Sequence, residues 1–154
     1  MKAHQRIIRE EMSKKDTDFF PLFGRYWEDI DIDIKKAVIK PINYQSAKKI
    51  ILQYEWLGTM GTTQKHYGIF FDGHCAGVVC YGYFQAMEGY HKFVGKEFAD
   101  KGIQLSRGAC VHWSHPHSGS KLIGQSLQMI KKEGYRYVVA FSDPEAGEVG
   151  TLYQ

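Results

Sequence analysis

A strand–loop–helix–strand pattern in the C-terminal third constrains the fold more than any other feature. Residues 103–113 alternate apolar and polar side chains as a strand does, and the loop over 114–120 is rich in turn formers and hydroxyls. Apolar residues over 121–133 share one helical face, and Gly134 stands where a helix-ending glycine is expected. The aromatic and β-branched run 135–141 predicts a short buried strand. This order requires a helix packed on a sheet.

The preceding residues predict the rest of that sheet. Residues 36–42 form its first strand, and Asn43 caps a helix that runs through Tyr54. Residues 67–71 and 74–84 form a hairpin around an Asp-Gly turn. With a further helix after the last strand, the order is β-α-β-β-β-α-β-α. We therefore expect an α+β fold (an α/β sandwich) whose mixed, mostly antiparallel sheet carries helices on both faces.

Length and charge set further bounds. The chain has 154 residues, and we assign 1–34 to an N-terminal arm or cover segment and 35–154 to one folded domain. No apolar run reaches the roughly 20 residues that span a bilayer, and no signal peptide is evident, so we expect a cytoplasmic protein without a membrane partner. The net charge of +3 permits a nucleic-acid partner. Basic side chains of the arm, including Arg6 and Arg9, could contact phosphate, although we favour a solvated face.

Candidate proton-transfer residues lie at strand ends and in the last segment. His66 and Tyr67 stand at the start of a strand, Asp143 follows the strand over 135–141, and Tyr153 lies near the C-terminus. Histidine, aspartate and tyrosine are residue types that exchange protons in enzymes. Each also has a structural interpretation, such as a turn residue for His66, a helix cap for Asp143 and a core residue for Tyr153. Taken singly, their spacing favours the structural interpretations.

Three histidines suggest a metal hypothesis. His112, His115 and His117 could supply imidazole ligands to zinc or iron. Their loop contains Pro116, and spacing alone does not fix their geometry. We favour surface or phosphate-contacting histidines and leave the metal ligands unassigned.

The order of elements resembles that of the GNAT acyltransferases up to their fourth helix. In that superfamily the loop before the central helix grips the pyrophosphate of the acyl donor. The resemblance assigns this role to Ser118, Gly119, Ser120 and Lys121. These residues do not reproduce the superfamily's Gln/Arg-x-x-Gly-x-Gly/Ala pattern, so a polar helix start without a ligand stays the alternative.

Several short stretches resemble the bacteriophage Mom DNA-modification family, which is similar to the GNAT proteins. The resemblance extends from about Glu55 to the C-terminus. It rests on His66-Tyr67 and on residues 105–109, 120–124 and 142–154. The family converts the exocyclic amine of adenine in DNA to a carbamoylmethyl derivative, which shields phage DNA from host restriction. The resemblance implies that this chain is a transferase with that activity.

The resemblance also assigns roles to single residues. The catalytic residues that it implies are His66, Tyr67, Asp143 and Tyr153. The family's cofactor-contacting Arg and Ser map to Arg107 and Ser120. An adenine inside a duplex must be extruded before it can react, and an aromatic residue such as Trp56 could then stack on it.

The ligands that the resemblance implies are DNA and an acyl donor, with acyl-coenzyme A as the GNAT default. A link between the family and iron also implies an iron ion held by His, Asp or Tyr side chains. The chain ends at Gln154, before family members do, so either the sheet is C-terminally truncated or another segment completes it. Exposed strand edges would then favour a homodimer. Two other functions stay open, an ordinary GNAT N-acetyltransferase that uses acetyl-coenzyme A on a small amine or protein, and a non-catalytic DNA-binding accessory protein.

Overall fold

A computed structural model describes residues 4–19, 27–84 and 92–147 of the chain. Its strands are β1 Val38–Pro41, β2 Lys65–Phe71, β3 His74–Gly82, β4 Gly102–Cys110 and β5 Tyr137–Ala140. Its helices are α1 His4–Phe19, α2 Tyr44–Tyr54 and α3 Ser118–Lys132, with a short 3₁₀ helix at Ala99–Lys101. The strands form one open sheet in the order β1-β2-β3-β4-β5, antiparallel except for the parallel pair β4 and β5. The predicted α+β fold with a mostly antiparallel sheet is confirmed.

Local signals in the sequence set several element boundaries. The side chain of Asn43 accepts a hydrogen bond from the Ser46 amide at 2.8 Å and so caps α2. Asp72 and Gly73 turn the hairpin between β2 and β3 with φ values of 45° and 81°. Gly134 follows α3 with a φ of 101°, a backbone conformation that strains other residues. The predictions for these boundaries are confirmed.

The sheet is the middle layer between α2 and α3. The residues that α2 buries are Ala47, Ile50, Ile51 and Tyr54. The residues that α3 buries are Ser118, Leu122, Ser126 and Ile130. Fully burying one aliphatic side chain of this size stabilises a fold by about 1.5–3 kcal/mol, so these faces hold both helices in place. The hydroxyls of Tyr81 on β3 and Ser126 lie 2.7 Å apart inside the core, where each needs a partner.

The last described segment differs in part from the prediction. β5 is present, but its residues are half-buried because β5 is an edge strand with one strand neighbour. The helix expected after β5 is a single turn within the described residues. In that turn the Asp143 carboxylate accepts hydrogen bonds from the amides of Glu145 and Ala146 at 2.9 and 3.3 Å. Residues 148–154, which include Tyr153, lie outside the described part of the chain.

The N-terminal helix α1 contacts β4 and the turn that follows β5. The His4 amide donates a hydrogen bond to the Ala146 carbonyl at 3.0 Å, and Gln5 donates to the Gly108 carbonyl at 2.9 Å. The predicted boundary between an arm and a domain near residue 34 stays a prediction. None of the helices in the described ranges is long and apolar enough to cross a bilayer.

β4 carries a bulge and then loses a strand neighbour. Tyr81 and Cys80 of β3 stand opposite Leu105 and Arg107, so Ser106 is an extra residue on β4. β5 pairs with β4 only before this bulge. Beyond it, the same edge of β4 has no strand neighbour among the described residues, and it borders a cavity.

Candidate functional site

A cavity of about 540 Å³ follows the edge of β4 that β5 leaves uncovered. Its β4 lining is continuous over residues 104–110. Its other walls include Gln5 and Arg9 of α1, Glu55 and Trp56 after α2, Gly119 of α3 and Asp143 after β5. Cofactor-sized ligands occupy pockets on the order of 300–1,000 Å³, so this cavity has the size of a ligand site.

Arg107 connects β4 to the loop after α2. Its Nε donates to the Thr59 carbonyl at 2.7 Å, and its Nη2 donates to Thr59 Oγ1 at 3.2 Å. Its Nη1 donates to the Ser106 carbonyl at 2.6 Å. The buried carboxylate of Glu55 lies 4.0 Å from Nε. Arg107 therefore lines the cavity, and each of its three side-chain nitrogens is engaged with the protein.

Asp143 joins the cavity from the end of β5. The side chain is half-buried, and the two amides of the following turn donate to Oδ1. These bonds fix the direction of the carboxylate. Asp143 thus bonds the amides of a turn, where a helix cap was predicted, and it also lies on the cavity wall.

His66 lies on β2 and is not among the residues that line the cavity. Its Nε2 is 3.0 Å from the hydroxyl of Thr63, and its ring packs edge-on against Tyr44 with centroids 5.7 Å apart. Burial lowers the pKa of His66 below its ordinary value, so the ring is neutral at pH 7. A neutral imidazole both donates and accepts hydrogen bonds, and here it holds the loop that Arg107 also contacts.

Tyr67 points to the opposite face of the sheet, as adjacent strand residues do. Its hydroxyl donates to Glu133 Oε1 at 3.1 Å, just beyond α3. The Lys65 ammonium pairs with the same carboxylate. Burial, with the Glu133 hydrogen bond added, raises the pKa of Tyr67 far above its usual range, so the phenol stays protonated. The structure therefore does not bring His66 and Tyr67 together in one site.

The four residues predicted as a donor loop form the first turn of α3, which begins three residues earlier than expected. Gly119 lines the cavity, and Ser120 is exposed. Ser118 is buried, and its hydroxyl has no hydrogen-bond partner among the described residues. Lys121 donates from Nζ to the carbonyl of Ile34, which directs its charge toward the connector before β1.

The side chains of His112 and His115, two of the three histidines of the metal hypothesis, make hydrogen bonds within the protein. The Tyr54 hydroxyl lies 2.7 Å from Nδ1 of His112, and Nδ1 of His115 accepts from the His117 amide at 3.1 Å. Across residues 4–19, 27–84 and 92–147, no three His, Cys, Asp or Glu side chains assemble into a metal-binding group. The described residues therefore do not fit an iron or zinc ion.

The predicted site residues divide into two groups. Arg107, Gly119 and Asp143 line one cavity, whereas His66 and Tyr67 do not. The sequence patterns assign no site role to Gln5 or Glu55, and for Arg9 they favour a solvated face over a phosphate contact, yet all three residues line the cavity. For Gln5 and Arg9 a signal did exist, because a spacing of four places both on one helical face.

The fold and the cavity define the class of this protein, a GNAT-fold domain whose fourth and fifth strands separate beside a ligand-sized cavity. The structure is similar to an IAA acetyltransferase from Bacillus cereus ATCC 14579, with a TM-score of 0.50 and 16% identity, over 77% of this chain and 73% of that chain. It is also similar to an aminoglycoside acetyltransferase from an uncultured soil metagenomic sample, solved in complex with sisomicin. That likeness has a TM-score of 0.48 and 13% identity, over 70% of this chain and 78% of that chain.

The sequence identifies the family within this class. The model of the Mom protein family matches residues 36–154, and the chain therefore belongs to that family. No curated protein matches the chain by sequence. The resemblance seen in the short stretches is confirmed, and α1 lies before the matched residues.

Proposed function

We propose that this protein is a DNA-modifying transferase that converts adenine in DNA to a carbamoylmethyl derivative and protects the DNA from host restriction. Membership of the Mom family supports this reaction. The observation that carries the proposal is the cavity at the uncovered edge of β4. A group transfer needs one place where donor and acceptor meet, and this cavity joins β4, α3 and the segment after β5.

The residues around the cavity fit an acyl-coenzyme A or a related donor. On the uncovered part of β4 the carbonyls of Ser106 and Gly108 accept bonds from Arg107 and Gln5. The other backbone groups of that edge can pair with an extended amide-bearing ligand as they would with a strand. Gly119 and Ser120 supply backbone N–H groups of the kind that bind phosphate in the first turn of a helix. Attack of an amine on a thioester forms an amide and releases the coenzyme A thiolate, whereas a carbamoylmethyl product contains an N–CH2 bond. The proposed reaction therefore needs a related donor whose methylene carbon carries the leaving group, so that the N–CH2 bond forms as the bond to that leaving group breaks and the amine proton passes to a base.

Iron has no part in this proposal. The described residues contain no group of three ligating side chains, so no step is assigned to a metal ion. The chemistry assigned to the chain is that of its own acids, bases and hydrogen-bond donors.

Asp143 is the proposed proton acceptor for the reaction. The amine of adenine is a poor nucleophile because its lone pair is delocalised into the ring, and a nearby base assists its attack. Asp143 lines the cavity, and the amides of Glu145 and Ala146 orient its carboxylate. Tyr153 is proposed as the acid on the family resemblance alone.

His66 and Tyr67 are proposed as positioning residues. The ring of His66 holds Thr63 in the loop after α2, and Tyr67 connects β2 to Glu133 beyond α3. These contacts fix the positions of the loop and of α3 relative to the sheet. Arg107 of β4 bonds the same loop.

DNA is the proposed partner, and self-association stays a prediction. The target base must leave the duplex to reach the cavity. Trp56 is half-buried on the cavity wall, where its ring lies tilted against that of His4 with centroids 5.6 Å apart. An extruded base would join this aromatic pair by stacking. The net charge of +3 permits a polyanionic partner such as DNA.

The test is nucleoside mass spectrometry on plasmid DNA from cells that express the full chain. We expect an adenine nucleoside heavier by one carbamoylmethyl group. Asp143→Asn retains an oxygen that accepts the turn's hydrogen bonds but removes the base, so it should lower the yield by at least about 100-fold. Asp100→Asn, at an exposed position in the 3₁₀ helix, is the matched control and should leave the yield unchanged.

Two results would contradict the proposed reaction, and a third would contradict only the role of Asp143. Unmodified adenine with acetylation of a small amine in the absence of DNA would indicate an ordinary acetyltransferase. Salt-sensitive DNA binding without modification would indicate an accessory DNA-binding protein, because phosphate contacts weaken steeply with salt. Full yield from Asp143→Asn would exclude Asp143 as the base while leaving the reaction in place.

A further inference from the structure

The described lysines and arginines that line the cavity are Arg9 and Arg107, and their hydrogen bonds differ. Arg107 is engaged at all three side-chain nitrogens, with bonds as short as 2.6 Å. Arg9 is half-buried, and its Nη2 makes two long hydrogen bonds of 3.4 Å, to the His112 carbonyl and the Ser114 hydroxyl. Nε and Nη1 of Arg9 have no hydrogen-bond partner among the described residues. Arg9 therefore keeps donors that a ligand can use.

Several contacts hold α1 so that Arg9 faces the cavity. Gln5 lies four residues before Arg9, on the same helical face, and donates to the Gly108 carbonyl on the uncovered edge of β4. The amide of His4 donates to the carbonyl of Ala146 after β5. α1 is thus joined to both sides of the gap between β4 and β5, and the position of Arg9 follows from these bonds.

The other cation assigned to an anionic ligand points elsewhere. Lys121 donates from Nζ to the Ile34 carbonyl. Arg107 would have to give up its short bonds to Thr59 in order to turn toward a ligand. Arg9 would give up only two long bonds, so it is the lining cation best able to meet an anion.

We infer that Arg9 binds the phosphate groups of the acyl donor. The inference rests on the proposed function, which identifies the ligand as a coenzyme A derivative. Arg9 bonds Ser114 in the loop that leads to α3, and Gly119 in the first turn of α3 lines the same cavity. A guanidinium forms paired, charge-assisted hydrogen bonds with phosphate. Arg9 would thus bring to the site a charge from outside the family-matched residues 36–154.

The test is isothermal titration calorimetry of the full chain with two probes, coenzyme A and inorganic pyrophosphate. Arg9→Ala is expected to weaken the binding of both probes about tenfold or more, because it removes charge-assisted hydrogen bonds. Arg9→Lys retains the charge without the paired donors and should lose less. Arg6→Ala is the matched control, since Arg6 lies on the same helix, pairs with Glu10 at 3.4 Å and does not line this cavity. Its affinity should stay within about twofold of wild type.

Other outcomes would overturn the inference. They are wild-type affinity in Arg9→Ala, an equal loss in Arg6→Ala, or a loss of duplex DNA binding in Arg9→Ala with coenzyme A binding intact. Thermal unfolding of each variant checks that it is folded, and Arg9→Gln repeats the comparison with a side chain of similar length. Nucleoside mass spectrometry separates the two proposals. An Arg9-dependent coenzyme A site without modified adenine would retain this inference and remove the DNA reaction, whereas modified adenine with normal donor binding in Arg9→Ala would do the reverse.

Discussion

The two halves of β4 belong to one strand and have different surroundings. Before the bulge, Gly102 and the fully buried Ile103 pair with β5 and close the sheet. After the bulge, the strand borders the cavity, and a side chain of α1, not a strand, bonds the Gly108 carbonyl. The cavity lies where the pairing between β4 and β5 stops. Backbone groups of β4 that would otherwise bond β5 face the cavity there.

The row of residues across the sheet just before the bulge, where β4 is paired with β5, differs from the row just after it. Lys65, Tyr81 and Leu105 lie in register on three neighbouring strands. Tyr81 bonds Ser126 of α3, and Lys65 pairs with Glu133 just beyond it. These two polar side chains therefore contact α3 and the residue that follows it, and so they fix α3 on the sheet.

The next row belongs to the open side. His66, Cys80 and Arg107 lie in register there. His66 contacts Thr63 and Arg107 contacts Thr59, so the polar side chains of this row bind the loop after α2, beside the cavity. Changes at Lys65 and Tyr81 should therefore affect mainly stability, whereas changes at His66 and Arg107 should also affect activity.

An added methyl group should separate the two halves of β4 most strongly. A Cβ at Gly102 would stand 2.2 Å from the ring of Tyr137 and 2.5 Å from that of Phe84, so Gly102→Ala should lower the free energy of unfolding by about 2–3 kcal/mol. A Cβ at Gly108 would meet no atom closer than 3.6 Å, so Gly108→Ala should change it by less than about 0.5 kcal/mol. Urea denaturation measures both values. Equal losses would remove the distinction between the halves.

A change at Arg107 tests whether the open row serves the site. Arg107→Lys retains the charge but cannot reproduce bonds from three nitrogens, so the free energy of unfolding should fall by about 1–2 kcal/mol. Adenine modification should fall about tenfold, because the loop after α2 loses its anchor beside the cavity. Denaturation and nucleoside mass spectrometry report the two effects. Arg136→Lys, an exposed arginine after α3, is the control, and unchanged modification in Arg107→Lys would mean that the anchor has no functional role.

The smallest expected effect is a pH dependence from His66. Because burial lowers its pKa below 6.5, the folded state binds this proton less readily than the unfolded state. The contribution to stability is fully present above pH 6.5 and is lost as the pH falls through the lowered pKa. His66→Gln should therefore remove part of the stability loss between about pH 7 and pH 5, at most on the order of 1 kcal/mol. Denaturation across this range measures how the free energy of unfolding changes with pH. The control variant His74→Gln, at an exposed position, should show the same pH dependence as the wild type.

Part of this molecule could be predicted from its sequence because some signals act over a few residues. Asn43 as a cap and Gly134 as a helix end need only their neighbours, and the alternation along β4 needs only the strand itself. The direction of Lys121 could not be predicted, since it depends on a carbonyl at Ile34, far away in the sequence. The place of Arg9 on the cavity wall likewise depends on the docking of α1, which no local pattern encodes.

The hydrogen bonds of α1 also imply an order of assembly. Gln5 bonds Gly108 across a sequence separation of 103 residues, and His4 bonds Ala146. Contacts this distant form late in folding, because the entropy of a large loop must be lost before they gain anything. α1 precedes along the chain both segments that receive it, β4 and the turn after β5. The cavity therefore stays open on the side of α1 until those segments have folded into place.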